Sequence, residues 1–155
     1  MTKLTAEDRF AILDIIAQYN LAADEKDVEA TIALYTEDGY IGGDMSTGKG
    51  KDVMRRDLPD IFATEVTLKR HIASNVRFKE RNGNEVEVGY ILLVIEGGVA
   101  PLTVATSMIS DTYRLVDDEW KVAKHHVAVD PSAKWMVKAG EKVQEGVKKA
   151  KEVLN

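Results

Sequence analysis

Two periodicities divide the chain. From Phe10 to Asp24 apolar residues recur at three- and four-residue spacing, the period of a helix. From Leu68 to about Val129 they alternate in twos, the period of a strand. Thr5-Ala6-Glu7-Asp8 reads as a capping box at the start of the helical stretch, because an acidic side chain there can satisfy the free amides. Phe10, Leu13, Ala17, Asn20 or Leu21, and Asp24 fall on one face; Ile12, Ile15, Ile16 and Tyr19 add apolar surface elsewhere. The pattern therefore predicts a helix buried on more than one side. Asp27 is placed to cap a second, shorter helix carrying Val28, Ile32 and Tyr35. The Gly39–Gly43 stretch breaks the helical pattern around a short strand at Tyr40-Ile41, and a third helix is expected from Lys51 to Phe62, kinked or ended by Pro59.

The second half reads as a meander. Residues 68–81 form one strand, Asn82-Gly83-Asn84 a hairpin turn, and 85–96 its partner, in which Val86, Val88, Tyr90, Leu92 and Val94 alternate. After Gly97-Gly98 and Pro101 come a third long strand over 102–116, a turn at Asp117-Asp118, and a fourth over 119–129. Asp130-Pro131 then looks like an N-cap with proline at the first helical position, opening a final helix with Met136, Val143, Val147, Ala150 and Leu154 in one stripe. Helices first and long antiparallel strands afterwards predict an α+β domain: a curved sheet wrapped on its N-terminal helices around a pocket. One domain is expected over 1–130, with the helix of 131–155 appended to it; no repeat or linker divides the chain.

Composition narrows the function without naming it. The net charge is −5 and the charges are mixed along the chain, against a general nucleic-acid binder. The Lys-rich stretch Lys138–Lys151 is interleaved with Glu141 and Glu145, as on a solvated helix face. The longest uninterrupted aliphatic run, Ile91–Ile95, is far short of the roughly 20 residues that span a bilayer. Without cysteine there is no disulfide framework and no thiolate chemistry. No secretory signal is read at the start, so a cytoplasmic location is expected.

Few residues offer chemistry. Gly43-Asp44-Met45-Ser46-Thr47-Gly48-Lys49 follows most of a phosphate-binding loop, but Gly50 stands where a magnesium-holding Ser or Thr is required. The motif also needs a buried parallel strand before it, and none is read upstream; a plain loop is expected. Asp24 lies near a helix C-terminus, where the dipole disfavours an acid, so it either turns into a pocket or belongs to a solvated Asp24-Glu25-Lys26-Asp27 turn. His71 sits early in a predicted strand on the side of Ala73 and Asn75, with Ile72, Val76 and Phe78 mostly on the other. A histidine there is a general base or a hydrogen-bonded core residue. His125 and His126 are adjacent in a strand, so only one can share a pocket with His71. Asp24 with two histidines has the donor types of a metal triad, but no tight ligand spacing accompanies them, and no metal is expected.

The order of elements, the stretch Tyr19 to Asp27, the strand with Arg70-His71-Ile72 and the hairpin Tyr113-Arg114-Leu115-Val116-Asp117-Asp118-Glu119-Trp120-Lys121 together resemble the SnoaL-like branch of the nuclear transport factor 2-like superfamily. The similarity runs to about Asp130. Its nearest patterns are those of scytalone dehydratase and hexachlorocyclohexane dehydrochlorinase. The resemblance implies a cone-shaped α+β barrel and a cofactor-free enzyme in which Asp24 orients His71 and His71 takes a proton from substrate carbon. It also implies a small, largely apolar ligand and a homodimer built by sheets packed face to face. By the same resemblance Tyr40 matches a pocket aromatic, Ser107 a pocket serine, and His125 lies near a cationic pocket residue; Asn20, one turn before Asp24, would face the cavity. Ile91 stands at or near the dehydratase's second histidine, a departure from dehydration of that type. Elimination, isomerisation and cyclisation share the first step and stay open. So does the alternative of a non-catalytic ligand-binding or dimerisation domain of the same fold.

Overall fold

The computed structural model describes residues 3–45, 47–63 and 67–131; the expected final helix and its stripe lie outside them. The first helix, α1 (Ala6–Glu25), begins at the capping box as expected. Thr5 accepts from the Asp8 amide, and the Asp8 carboxylate accepts from the Thr5 amide. The helix stops at Lys26, whose left-handed backbone (φ 58°) turns its amide back onto the carbonyls of Ala22 and Ala23. Asp27 then caps α2 (Val28–Ala33).

The buried face of α1 is not the one the spacing of Phe10 and Leu13 suggested. Ile12, Ile15, Ile16, Asn20, Ala22 and Ala23 are buried, whereas Phe10 is 72% exposed and Leu13 and Leu21 also face out. Branched Ile side chains fill the core near the start of the helix, and small Ala22 and Ala23 permit close approach near its end. Tyr35 departs from its expected place as well. The second helix ends before it, and Tyr35 opens β1 (Tyr35–Gly43), a nine-residue strand where only Tyr40-Ile41 were expected.

Beyond β1 come α3 (Lys51–Ala63), which continues through Pro59 instead of ending there, then β2 (Lys69–Phe78), β3 (Glu85–Glu96), β4 (Leu102–Val116) and β5 (Glu119–Val129). The sheet order is β1-β5-β4-β3-β2, antiparallel except for the parallel pair β1–β5. Both expected hairpin turns are present. Asn82 and Glu85 exchange amide–carbonyl bonds around Gly83, and Asp117 and Asp118 both adopt positive φ, as a two-residue hairpin demands. At Gly43 (φ +85°) a Cβ would lie 1.9 Å from the Val127 carbonyl oxygen, so only glycine lets β1 run this close to β5.

A strand parallel to β5 thus does precede the Gly43–Lys49 loop, contrary to expectation. The loop still does not form a phosphate cradle among the described residues. Lys49 bridges back to Tyr40, its amine lies 3.5 Å from Asp38, and Asp44 accepts from the Val129 amide.

One face of the sheet carries the core. Val86, Val88, Tyr90 and Leu92 of β3, Ile109 and Tyr113 of β4, and Trp120, Val122, Val127 and Val129 of β5 are buried together with Ile12, Ile16, Ile32, Ile41, Met54 and Leu58. A bulge in β2 between Ser74 and Arg77, with Asn75 at φ 54°, shifts the strand's alternation. Phe78 consequently pairs with Val88 on the same face as His71, not on the opposite face as simple alternation suggested. No described helix is long and apolar enough to cross a membrane.

Candidate functional site

Asp24 lies in the last turn of α1, the end of a helix where a carboxylate is electrostatically disfavoured. Its side chain is only 4% exposed, so it needs partners that a solvated turn would not provide. It finds them on β2. Because β2 is an edge strand, some of its amides have no sheet partner, and the His71 amide donates to Asp24 Oδ1 at 3.0 Å. The same oxygen is 2.7 Å from His71 Nδ1, and the Arg70 guanidinium is 3.9 Å from Oδ2. A carboxylate only accepts, so it fixes the proton on Nδ1 and leaves the lone pair of the neutral ring on Nε2. Asp24 and His71, separated by 47 residues in sequence, are therefore brought into direct contact.

A second pair occupies the same inner face. His125 Nδ1 is 2.8 Å from Asp111 Oδ1, with 6% and 2% side-chain exposure. Asp111 Oδ2 accepts from Tyr113 at 2.9 Å and from Tyr90 at 3.1 Å. The Tyr19 ring lies 4.7 Å from the His125 ring and 6.0 Å from the Tyr35 ring. Burial pushes Tyr19 up to about 12, the neighbouring Asp111 charge adding to it. Burial raises Tyr35, Tyr90 and Tyr113 well above the ordinary tyrosine value.

The other expected site residues divide. Asn20 on α1 and Ser107 on β4 are buried, 6% and 4% exposed, with no side-chain hydrogen bond from either among the described residues. Ser107 pairs with Leu92, on the same face as His71 and His125. Tyr40 is not brought to this face. It pairs with Lys124 and folds its ring over Gly42, while its neighbour Ile41 points inward beside His125. The metal triad is not assembled either: the carboxylate partner of His125 is Asp111, and among the described residues no three His, Cys, Asp or Glu side chains converge. An open depression of about 360 Å³, lined by Ala11, Gln18 and Trp120 among others, contains no member of either pair.

Asp111, outside the residues singled out from the sequence, carries a signal there. Ser107, Ile109, Asp111 and Tyr113 share one parity of a long strand, and an acid on an otherwise apolar parity requires a buried donor. The partner is on the following strand at His125, directly across the hairpin.

Residues 4–126 match the family described as SnoaL-like domain. No curated protein matches the sequence. Among solved structures, a protein of unknown function with a cystatin-like fold from Nostoc punctiforme is 26% identical, with TM-score 0.75, covering 84% of this chain and 97% of its own. LinA is 17% identical with TM-score 0.70, covering 80% of this chain and 86% of its own. A Novosphingobium aromaticivorans protein provisionally named a scytalone dehydratase is 20% identical with TM-score 0.65, covering 79% and 83%. The last two likenesses establish the fold.

The tyrosine cluster sets an alkaline limit on stability. Each of Tyr19, Tyr35, Tyr90 and Tyr113 has a folded-state value above its unfolded value near 10. Their contribution is complete below about pH 10 and is lost as pH rises toward the folded values, because the unfolded chain releases its protons first. Urea unfolding followed across this range should show stability falling above about pH 10, at up to about 1.4 kcal/mol per pH unit for each tyrosine. A flat profile to pH 12 would contradict the buried cluster.

Proposed function

The chain belongs to the SnoaL-like domain family, and on that premise we propose that it is a cofactor-free enzyme removing a proton from carbon of a small, largely apolar organic substrate. One observation carries the reading: a buried carboxylate, Asp24, held 2.7 Å from the Nδ1 of His71. Nε2 then takes the substrate proton, and Asp24 stabilises the imidazolium that forms. A positioned base of this kind contributes roughly 10²–10⁴-fold to rate. The remainder comes from holding the substrate in line and from donors facing the negative charge that develops as the carbon is deprotonated. Asn20 and Ser107, buried without a side-chain hydrogen bond among the described residues, are the residues we assign to substrate contact. Lyase, isomerase and cyclase outcomes all begin with this step.

The test is hydrogen–deuterium exchange at the acidic carbons of a panel of ring ketones, 2-indanone among them, followed by NMR in D₂O. The protein should accelerate exchange of at least one ketone, and His71→Gln should reduce that acceleration by about 10²–10⁴-fold. Undiminished exchange in His71→Gln would sink the reading. Tight ligand binding with no exchange of any carbon acid would instead favour a non-catalytic ligand-binding domain.

We also propose that the chain pairs with a second copy through the outer face of its sheet. There Ile72 and Leu93 are cross-strand neighbours, as are Ile91, Met108 and Ala128, with Ile72 46% and Met108 53% exposed. A contiguous apolar patch on a sheet face is a recurrent sign of association. Light scattering at micromolar concentration should give a dimer for the full chain and a monomer for Met108→Glu. A monomeric wild type would overturn the proposal.

A further inference from the structure

The helix α1 is apolar on two sides, and the sheet covers only one. Ile12, Ile15, Ile16 and Ala23 are buried, while Ala6, Phe10, Leu13, Ala17 and Leu21 recur at helical spacing on the opposite side. All five are exposed, Phe10 at 72% and Leu21 at 60%. Single exposed apolar residues are ordinary on a protein surface, but these form a continuous seam. From Phe10 to Leu21 it runs roughly 16 Å along the helix. Acids accompany it. The helix carries Glu7, Asp8, Asp14, Asp24 and Glu25 against the single base Arg9. Glu7, Asp14 and Glu25 are exposed, and none of them has a cationic partner among the described residues.

Residues 132–155, outside the described ones, match this seam in sequence. Met136, Val143, Val147, Ala150 and Leu154 form one stripe at helical spacing, and Val143 to Leu154 covers the same eleven-residue interval as Phe10 to Leu21. The segment carries six lysines and three glutamates, so its net charge is opposite to that of α1. It also departs from a suitable place. The Asp130 amide donates to the Thr106 carbonyl at 3.1 Å, in the row that crosses the sheet through Leu93 to Ile72. Ile72 adjoins His71, where Asp24 fixes the last turn of α1. Three strand spacings, roughly 14 Å, thus separate the departing chain from the strand that holds the end of α1. The residues between Pro131 and Val143 reach roughly 16 Å if helical and about 36 Å if extended.

We propose that residues 132–155 fold back as an amphipathic helix onto the outer seam of α1 in the same chain, running antiparallel to it from Leu21 toward Phe10. Val143, Val147, Ala150 and Leu154 then cover the seam, and the lysines neutralise the acids beside it. This makes α1 a helix buried on both sides, in keeping with its two apolar stripes. A second copy's α1 is a poorer occupant, because it would set Glu7, Asp14 and Glu25 against the same acids.

The test uses the full-length chain. Trypsin cuts where the backbone opens, so cleavage between Lys138 and Lys151, followed by mass spectrometry under native conditions, reads the docking. Phe10→Gln combined with Leu21→Gln keeps charge and core intact and should speed that cleavage at least about tenfold. Val147→Asp should do the same from the segment's side, and it carries the test if the α1 variant does not fold. One cleavage rate in all three proteins would overturn the proposal, since a helix formed without docking ignores the seam. The chain has no cysteine, so Ala17→Cys with Val147→Cys supplies the sole pair of thiols. A short bismaleimide should join them within one chain and give a covalent monomer. Covalent dimers would place a second copy on the seam, and no joining would leave it to another partner; either result overturns the proposal.

Discussion

A carboxylate at each end pins α1 to the sheet, and the geometry of the site follows from that pinning. At the start of the helix, Asp8 caps the first turn and also accepts from the Trp120 indole at 2.9 Å, joining the helix to β5. The backbone bond from Thr5, helped by the indole, holds the Asp8 carboxyl below its usual value. At the far end Asp24 accepts from the backbone of β2 and meets the His71 ring. Between these anchors the apolar side of α1 is pressed on the inner face of the sheet.

The same constraint explains why the polar residues of the interior come in pairs. A carboxylate shielded from water is costly without donors, and each of the two here is met by an imidazole across a long sequence separation or across a hairpin. The tyrosines extend the principle. Two of them spend their hydroxyls on Asp111, and Tyr19 gives its ring to His125. After this internal matching Asn20 and Ser107 are left without a side-chain hydrogen bond among the described residues.

Much of this was legible in the sequence, and the failures have specific causes. The capping box, both hairpin turns and the alternation in β3 rest on local chemistry and are present as read. The buried side of α1 was misread because Phe10, Leu13 and Leu21 keep helical spacing as well as the isoleucines do; only the sheet decides which stripe it covers. Tyr35 was assigned to a helix because short helices and strands share apolar spacing over a few residues. Its place is set by pairing with Val122, 87 positions away in sequence. Phe78 changed faces through a bulge at Asn75, a single extra residue that alternation cannot register. In the candidate site, Asp24 and His71 stood out as chemically anomalous residues and do meet. Tyr40 was placed by resemblance alone and lies on the other side of its strand. Asp111 is marked as buried by its parity in β4, but no local motif in the sequence points to its partner across the hairpin.

Service as a carbon base depends on which nitrogen of His71 carries the proton. Long-range ¹H–¹⁵N correlation of the histidine side chains reads this directly. The contact with Asp24 predicts that neutral His71 is protonated at Nδ1 and not at Nε2, and that Asp24→Ala abolishes this preference. A wild-type His71 protonated at Nε2, with a tautomer indifferent to Asp24, would contradict the carboxylate-oriented base on which the functional reading stands.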